Sequence, residues 1–173
     1  MRERVIRDEI HKDILVPFHH ARIIDTKEFQ RLRSIQQLST CEYVFPAANH
    51  NRFSHSLGAY HLAKKLTELI QEVQPGMIDD DDAELVQLAA LLHDIGHPPY
   101  SHLLETPRVF ATFYSHEHWG RLLLESTETE IGSVVREILS ENRLGRLFAI
   151  MDGKDEFAGE AIPHFMKEIV ASQ

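Results

Sequence analysis

The chain has 173 residues, of which 43% are hydrophobic and 26% are charged, and these values predict one globular domain with its own core. No apolar run is long enough for a membrane span, and a formal net charge of −9 argues against a surface that binds nucleic acid. Cys41 is the only cysteine, which excludes an intrachain disulfide and favours a reducing compartment such as the cytoplasm.

The first predicted elements are short. Residues 1–24 contain two β-branched pieces that predict either small strands or an irregular cap. Thr26 is suited to cap a helix that ends near Gln36 and Gln37, with Arg31 among the charged residues beside its apolar stripe. The stripe recurs at a spacing of three residues: Phe29, Leu32, Ile35 and Leu38.

Two longer helices follow. The first runs roughly from Ser54 to Glu72 and has His55 in its first turn. Its predicted buried side consists of Leu57, Ala59, Leu62, Leu66, Leu69 and Ile70. The second begins in the acidic run 79–82, where Asp81 and Glu84 have capping-box spacing, and it ends at His93 and Asp94.

The second half of the chain also has helical patterns. Shorter helices are predicted from His116, after Thr127, over 144–151 and over 161–170. Six or more helices with few strand signals and short connections predict an all-α domain.

The corner at His93 and Asp94 is the strongest chemical signal. An unpaired buried carboxylate is costly, and a divalent metal would offset that cost at Asp94. Imidazole with carboxylate suits Fe, Mn, Ni, Co or Zn, and His55 can complete the set if it points at Asp94. A His-rich surface loop is the alternative, but His97 and His102 add two more such groups and favour the metal.

Several separate motifs, in order, carry a family resemblance. They are 29–38 (FQRLRSIQQL), 43–46 (YVFP), 51–58 (NRFSHSLG), 93–94 (HD), 97–102 (HPPYSH) and 116–117 (HE). Together they resemble the HD superfamily of metal-dependent phosphohydrolases, and within it the branch that contains deoxynucleoside triphosphate triphosphohydrolases. The resemblance runs from about residue 5 to 125 and implies an HD-domain helical bundle. With the single domain that the length predicts, we expect one HD domain over 1–173, with 1–24 as an irregular cap.

The resemblance also implies roles for individual residues. His55, His93 and Asp94 would bind one divalent metal, and Arg52 would hold phosphate oxygens. His97 and His116 would lie near the scissile phosphate as proton donors or charge stabilisers. The substrate would be a nucleotide, most simply a deoxynucleoside triphosphate cleaved to nucleoside and triphosphate. Its remaining contacts would be His102 with the phosphate chain and Gln37 and Leu38 with the deoxyribose.

One family feature has no match. The fourth metal ligand is an Asp in a downstream acidic stretch, and Asp152 and Asp155 are substitutes without the family context. This predicts a fragment of a longer protein, truncated on its C-terminal side, with little hydrolytic activity of its own. The alternative function is therefore a nucleotide- or metal-binding regulatory module with weak or no turnover. Homo-oligomerisation is one option, and neither a membrane nor a nucleic acid is expected as partner.

Overall fold

The computed structural model describes residues 3–100 and 114–171. These residues form eight α-helices and two short two-stranded sheets, which confirms the predicted all-α class. The elements are β1 (Glu3–Asp8), β2 (Lys12–Pro17), α1 (Phe18–Asp25), α2 (Lys27–Gln30), α3 (Arg52–Val73), α4 (Asp80–Leu92), α5 (His116–Glu125), α6 (Glu130–Ile138), α7 (Glu141–Met151), β3 (Glu156–Phe157), β4 (Glu160–Ala161) and α8 (His164–Ala171).

The N-terminal segment is a hairpin that leads into α1. Strands β1 and β2 are antiparallel, from the pair Glu3 and Pro17 to the pair Asp8 and Lys12. Asp8 Oδ1 accepts hydrogen bonds from the backbone amides of residues 10 and 11, which closes the turn. Ile14 and Val16 are buried on one face of β2, as the period of two requires. Of the two alternatives predicted for this part of the chain, the small strands are therefore present within residues 3–24.

The helix after Thr26 is shorter than predicted. Thr26 is its N-cap as predicted, because its Oγ1 accepts a hydrogen bond from the Phe29 amide. However, α2 ends at Gln30 and continues only as a 3₁₀ turn over Arg31–Ser34. Three residues per turn is the period of a 3₁₀ helix, so the apolar spacing of three fits that geometry better than an α-helix.

Helices α3 and α4 form an antiparallel pair at the centre of the core. Gln71 Nε2 near the end of α3 donates to Asp80 Oδ1 at the start of α4, 2.9 Å away. The N-cap of α4 is Asp79, not Asp81, since the Asp79 carboxylate accepts from the Asp82 amide at 2.7 Å. Helix α4 is buried over most of its length and also packs against α7 and α8.

The buried face of α3 differs from the prediction. Leu57 is buried, but Leu62, Leu66 and Leu69 are exposed. The buried residues of α3 are Arg52, Phe53, Ser56, Leu57, Gly58, Tyr60, Ala63 and Thr67. The helix carries apolar side chains on two faces, and the hydrophobic pattern alone does not reveal which face meets α4. No helix in the described ranges is both long and apolar enough to cross a membrane.

Candidate active site

The start of α3 and the end of α4 meet and bring the predicted metal ligands together. Asn51 caps α3 by accepting from the Ser54 amide at 3.0 Å, which fixes the turn that carries His55. His93 and Asp94 directly follow the last residue of α4. As a result, His55 Nε2 lies 3.2 Å from His93 Nε2, although 38 positions separate them in the chain.

These three side chains have the geometry of a ligand set. The Asp94 carboxylate lies 3.7 Å from His55 Nε2 and 3.4 Å from His93 Nε2. Ligand atoms at about 2.1 Å from one ion in a tetrahedral arrangement lie about 3.4 Å apart, so the observed distances fit a shared ion. His93 Nδ1 lies 2.8 Å from the Ala90 carbonyl oxygen and donates to it, which leaves Nε2 with the lone pair that a metal requires.

Asp94 is held as an anion inside the protein. It is 3% exposed, and Arg52 donates to its Oδ2 at 2.6 Å. Burial alone would raise the pKa of Asp94, but the contacts of its carboxylate with the imidazoles of His93 and His97 and the charge of Arg52 outweigh it. The pKa therefore lies well below its usual range, and the carboxylate is ionised at neutral pH.

A second pair of histidines, His97 and His116, lies beside Asp94. His97 and His116 stack with ring centroids 3.8 Å apart and planes at 14°. His97 Nε2 also lies 3.2 Å from Asp94 Oδ1. Asp94, His97 and His116 thus form a further set whose ligand atoms lie within 4.8 Å of one another. Asp94 is common to both sets, so the site can hold a cation next to the imidazoles of His97 and His116.

Two features fix the turn that carries Asp94 and His97. Arg31 donates to the carbonyl oxygen of Ile95 at 2.6 Å and to that of His97 at 2.8 Å. Gly96 packs directly on the backbone of α5, where an added Cβ would overlap the His116 carbonyl oxygen and lie 2.8 Å from Gly120 Cα. The sequence placed Arg31 only beside an apolar stripe, and no local pattern reveals that it holds a turn 64 residues away.

A cavity of about 510 Å³ opens onto these groups. Gln37 and Leu38 line it together with His93 and Asp94, and their contact with a substrate stays a prediction. Its full lining is Gln37, Leu38, Arg52, His93, Asp94, His97, His116, Glu117, Gly120, Arg121, Phe148, Met151, Asp152 and Val170. Glu117, Arg121 and Phe148 also line the cavity and were not predicted to do so. Arg121 on α5 and Phe148 on α7 belong to no chemical motif in the sequence. A cavity of this volume is in the range that small-molecule ligands occupy.

The remaining predicted residues have mixed outcomes. His102 lies outside the described residues. Asp152 lines the cavity but is paired with Arg121 at 3.0 Å and Lys154 at 3.3 Å, and Asp155 is exposed and paired with Lys167. Among the described residues, neither joins the group formed by His55, His93 and Asp94.

Comparisons with known proteins place these residues in a wider context. The sequence pattern of the HD domain family matches residues 52–162. "Uncharacterized protein MJ1154" of Methanocaldococcus jannaschii is 49% identical over 118 residues, which is 68% of this chain and 23% of the relative. "Deoxynucleoside triphosphate triphosphohydrolase SAMHD1" of Homo sapiens is 50% identical over 103 residues, which is 59% of this chain and 16% of the relative. "Uncharacterized protein YwfO" of Bacillus subtilis is 38% identical over 142 residues, which is 79% of this chain and 30% of the relative. The chain therefore spans less than a third of the length of each of these relatives.

Proposed function

Because the chain belongs to the HD domain family, we propose that it carries the active site of a metal-dependent phosphohydrolase that acts on a nucleotide. The observation that carries the proposal is the convergence of His55, His93 and Asp94, which lie on two elements far apart in the sequence. When bound there, a divalent metal such as Fe, Mn, Ni, Co or Zn supplies positive charge and lowers the pKa of water towards about 7.

The residues around this group have the chemistry that phosphate hydrolysis needs. Arg52 presents a planar fork whose N–H groups suit phosphate oxygens, and it already lies against Asp94. His97 and His116 line the cavity beside it and act as proton donor and charge stabiliser. Water oxygen forms a bond to the α-phosphorus and gives up one proton to one of these imidazoles, the bond from phosphorus to O5′ breaks, and O5′ takes a proton from the other imidazole. The products are a nucleoside and inorganic triphosphate.

A deoxynucleoside triphosphate is the proposed substrate class. Support comes from the name of the human relative, "Deoxynucleoside triphosphate triphosphohydrolase SAMHD1", which is 50% identical to this chain over 103 residues. Gln37 and Leu38 line the same cavity, where they would meet the deoxyribose. Gln37 Oε1 is buried and has no hydrogen-bond partner among the described residues, so it can accept from a sugar hydroxyl.

A second candidate function is a binding module that holds metal and nucleotide with weak or no turnover. The pairing of Asp152 with Arg121 favours it, because that carboxylate is engaged elsewhere and does not complete the ligand set. The site then has three protein ligands, and the metal is fixed less rigidly. Misplacement of about 1 Å is enough to cost a large part of a catalytic rate.

Hydrolysis under conditions of excess protein separates these candidates. The metal-free chain is loaded with Mn²⁺, mixed with dATP or ATP, and the products are separated by anion-exchange chromatography. We expect triphosphate to be released slowly from dATP and more slowly still from ATP. This release should disappear in the Asp94→Asn variant. The matched control is His164→Asn, because His164 is an exposed histidine on α8 outside the cavity. Metal-dependent binding of dATP without triphosphate would support the binding module, and pyrophosphate as the product would contradict cleavage at O5′.

A cytoplasmic location and homo-oligomerisation are further proposals. Cys41 is an exposed thiol, which fits a reducing compartment such as the cytoplasm. Homo-oligomerisation is measured directly by light scattering with and without nucleotide.

A further inference from the structure

A second cluster of ligand-type side chains lies away from the candidate active site. His19 and His20 are neighbours on α1, and Glu84 is on α4. His19 Nε2 lies 2.7 Å and His20 Nε2 lies 3.0 Å from the same oxygen, Glu84 Oε1. Two adjacent residues of a helix diverge around its axis, so the convergence of both rings on one atom requires a specific local arrangement.

We propose that His19, His20 and Glu84 form a second metal site, which takes a borderline divalent ion such as Zn²⁺ and joins α1 to α4. Two imidazoles with one carboxylate are a ligand set that zinc uses in proteins. All three ligand atoms lie within 4.8 Å of one another. Ligands of a tetrahedral zinc lie about 3.4 Å apart, so each imidazole nitrogen needs to move only about 0.4–0.7 Å away from Glu84 Oε1 to admit the ion between them.

The contacts around the cluster suit a metal ligand set. His20 is 1% exposed, and its Nδ1 lies 3.0 Å from the buried Tyr60 hydroxyl. When His20 donates from Nδ1 to that oxygen, Nε2 carries the lone pair and the ring orientation is fixed.

The charges around Glu84 leave one carboxylate oxygen for the ion. Arg143 on α7 donates to Oε2, while both imidazoles lie against Oε1. The positive charge of Arg143 is offset by Asp81, 3.5 Å away in the acidic first turn of α4. His19 is about one third exposed, which gives an ion a path from solvent.

Counting bound zinc tests the proposal on the full chain. The metal-free Asp94→Asn protein is titrated with Zn²⁺. This substitution removes Asp94, the ligand that is common to both sets of metal-ligand side chains in the candidate active site, and so weakens zinc binding there. In this background we expect one tightly bound ion, whose affinity falls by more than 100-fold in His19→Asn or Glu84→Gln. Tyr60→Phe keeps all three ligands and removes only the outer contact, so it should weaken binding by about 10–100-fold.

The matched control is again His164→Asn, in which the bound zinc and its affinity should be unchanged. Circular dichroism of the metal-free variants checks that they fold, and His19→Asn is the safer variant because His19 is partly exposed. Bound Co²⁺ gives an independent readout, since the visible absorption of a tetrahedral His-ligated ion should disappear in the same variants. Equal zinc content and affinity in His19→Asn and Glu84→Gln would overturn the proposal and leave a hydrogen-bonded cluster only.

Discussion

Gly96 sets the distance between the turn that carries Asp94 and the start of α5. A Cβ at this position would overlap the His116 carbonyl oxygen and the Gly120 amide nitrogen, and it would lie 2.8 Å from Gly120 Cα. All three atoms belong to backbone, so no side-chain rotation relieves the overlap. Gly96→Ala therefore forces α5 and the turn apart.

The size of this displacement follows from ordinary contact distances. Two carbon atoms pack at about 3.5–4.0 Å, so the contact with Gly120 Cα alone requires a movement of about 0.7–1.2 Å. Overpacking of this kind costs about 1–3 kcal/mol, which corresponds to a fall in Tm of about 2–12 °C for a chain of this size. The same movement separates His116 from His97, and a misplacement of about 1 Å can lower the rate of a chemical step by about 100-fold.

The assay compares metal binding, Tm and single-turnover hydrolysis of dATP in Gly96→Ala. Metal binding should persist, because His55, His93 and Asp94 precede the displaced contact. Gly120→Ala is the matched control, since its Cβ would meet one side-chain methyl group, Ile95 Cγ2, at 3.2 Å and no backbone atom closer than 3.5 Å. Its Tm should change by less than about 2 °C, because helix propensity offsets the tighter contact. An unchanged Tm and rate in Gly96→Ala would refute this reasoning.

Three further predictions concern charged groups. Arg31→Met removes two hydrogen bonds to the turn after α4, so dATP hydrolysis should fall while isothermal titration still detects Mn²⁺ binding. If Mn²⁺ binding were lost together with hydrolysis, the result would contradict a positioning role for Arg31. Arg52→Met leaves Asp94 without its nearest partner and should destabilise the metal-free chain by about 3 kcal/mol, and Mn²⁺ should restore more stability in calorimetry than it adds to the wild type. The hydrogen bond from Arg4 lowers the pKa of Asp25, so this pair stabilises the fold above about pH 4 and the gain is lost as pH falls further. Asp25→Asn should therefore reduce stability at pH 7 by less than about 1 kcal/mol and have no effect near pH 2 in urea titrations, since the pair is exposed.

The sequence contained enough to predict the arrangement of the central helix pair. His55 near a helix start and His93 at a helix end are brought together by an antiparallel pair, and their nearest nitrogens lie 3.2 Å apart. The motif around Arg52 and the lining residues Gln37 and Leu38 also reach the same cavity. Their assignment as ligands and substrate contacts stays a prediction, because proximity alone does not prove binding.

Other features depend on tertiary contacts that no local pattern contains. Arg31 binds backbone carbonyl oxygens, which have no residue-type signature in the sequence. Leu62 and Leu66 have the periodicity of a buried face, yet α4 packs on the neighbouring face of α3. The cluster of His19, His20 and Glu84 requires α1 to lie beside α4, and Glu84 is 65 and 64 positions away from the two histidines in the chain.

Anomalous diffraction from crystals grown with Mn²⁺ tests the central claim most directly, because it locates the ion independently of any activity. We expect an anomalous peak about 2.0–2.3 Å from His55 Nε2, His93 Nε2 and an oxygen of Asp94. A peak among Asp94, His97 and His116 without His55, or no peak beside Asp94, would contradict it.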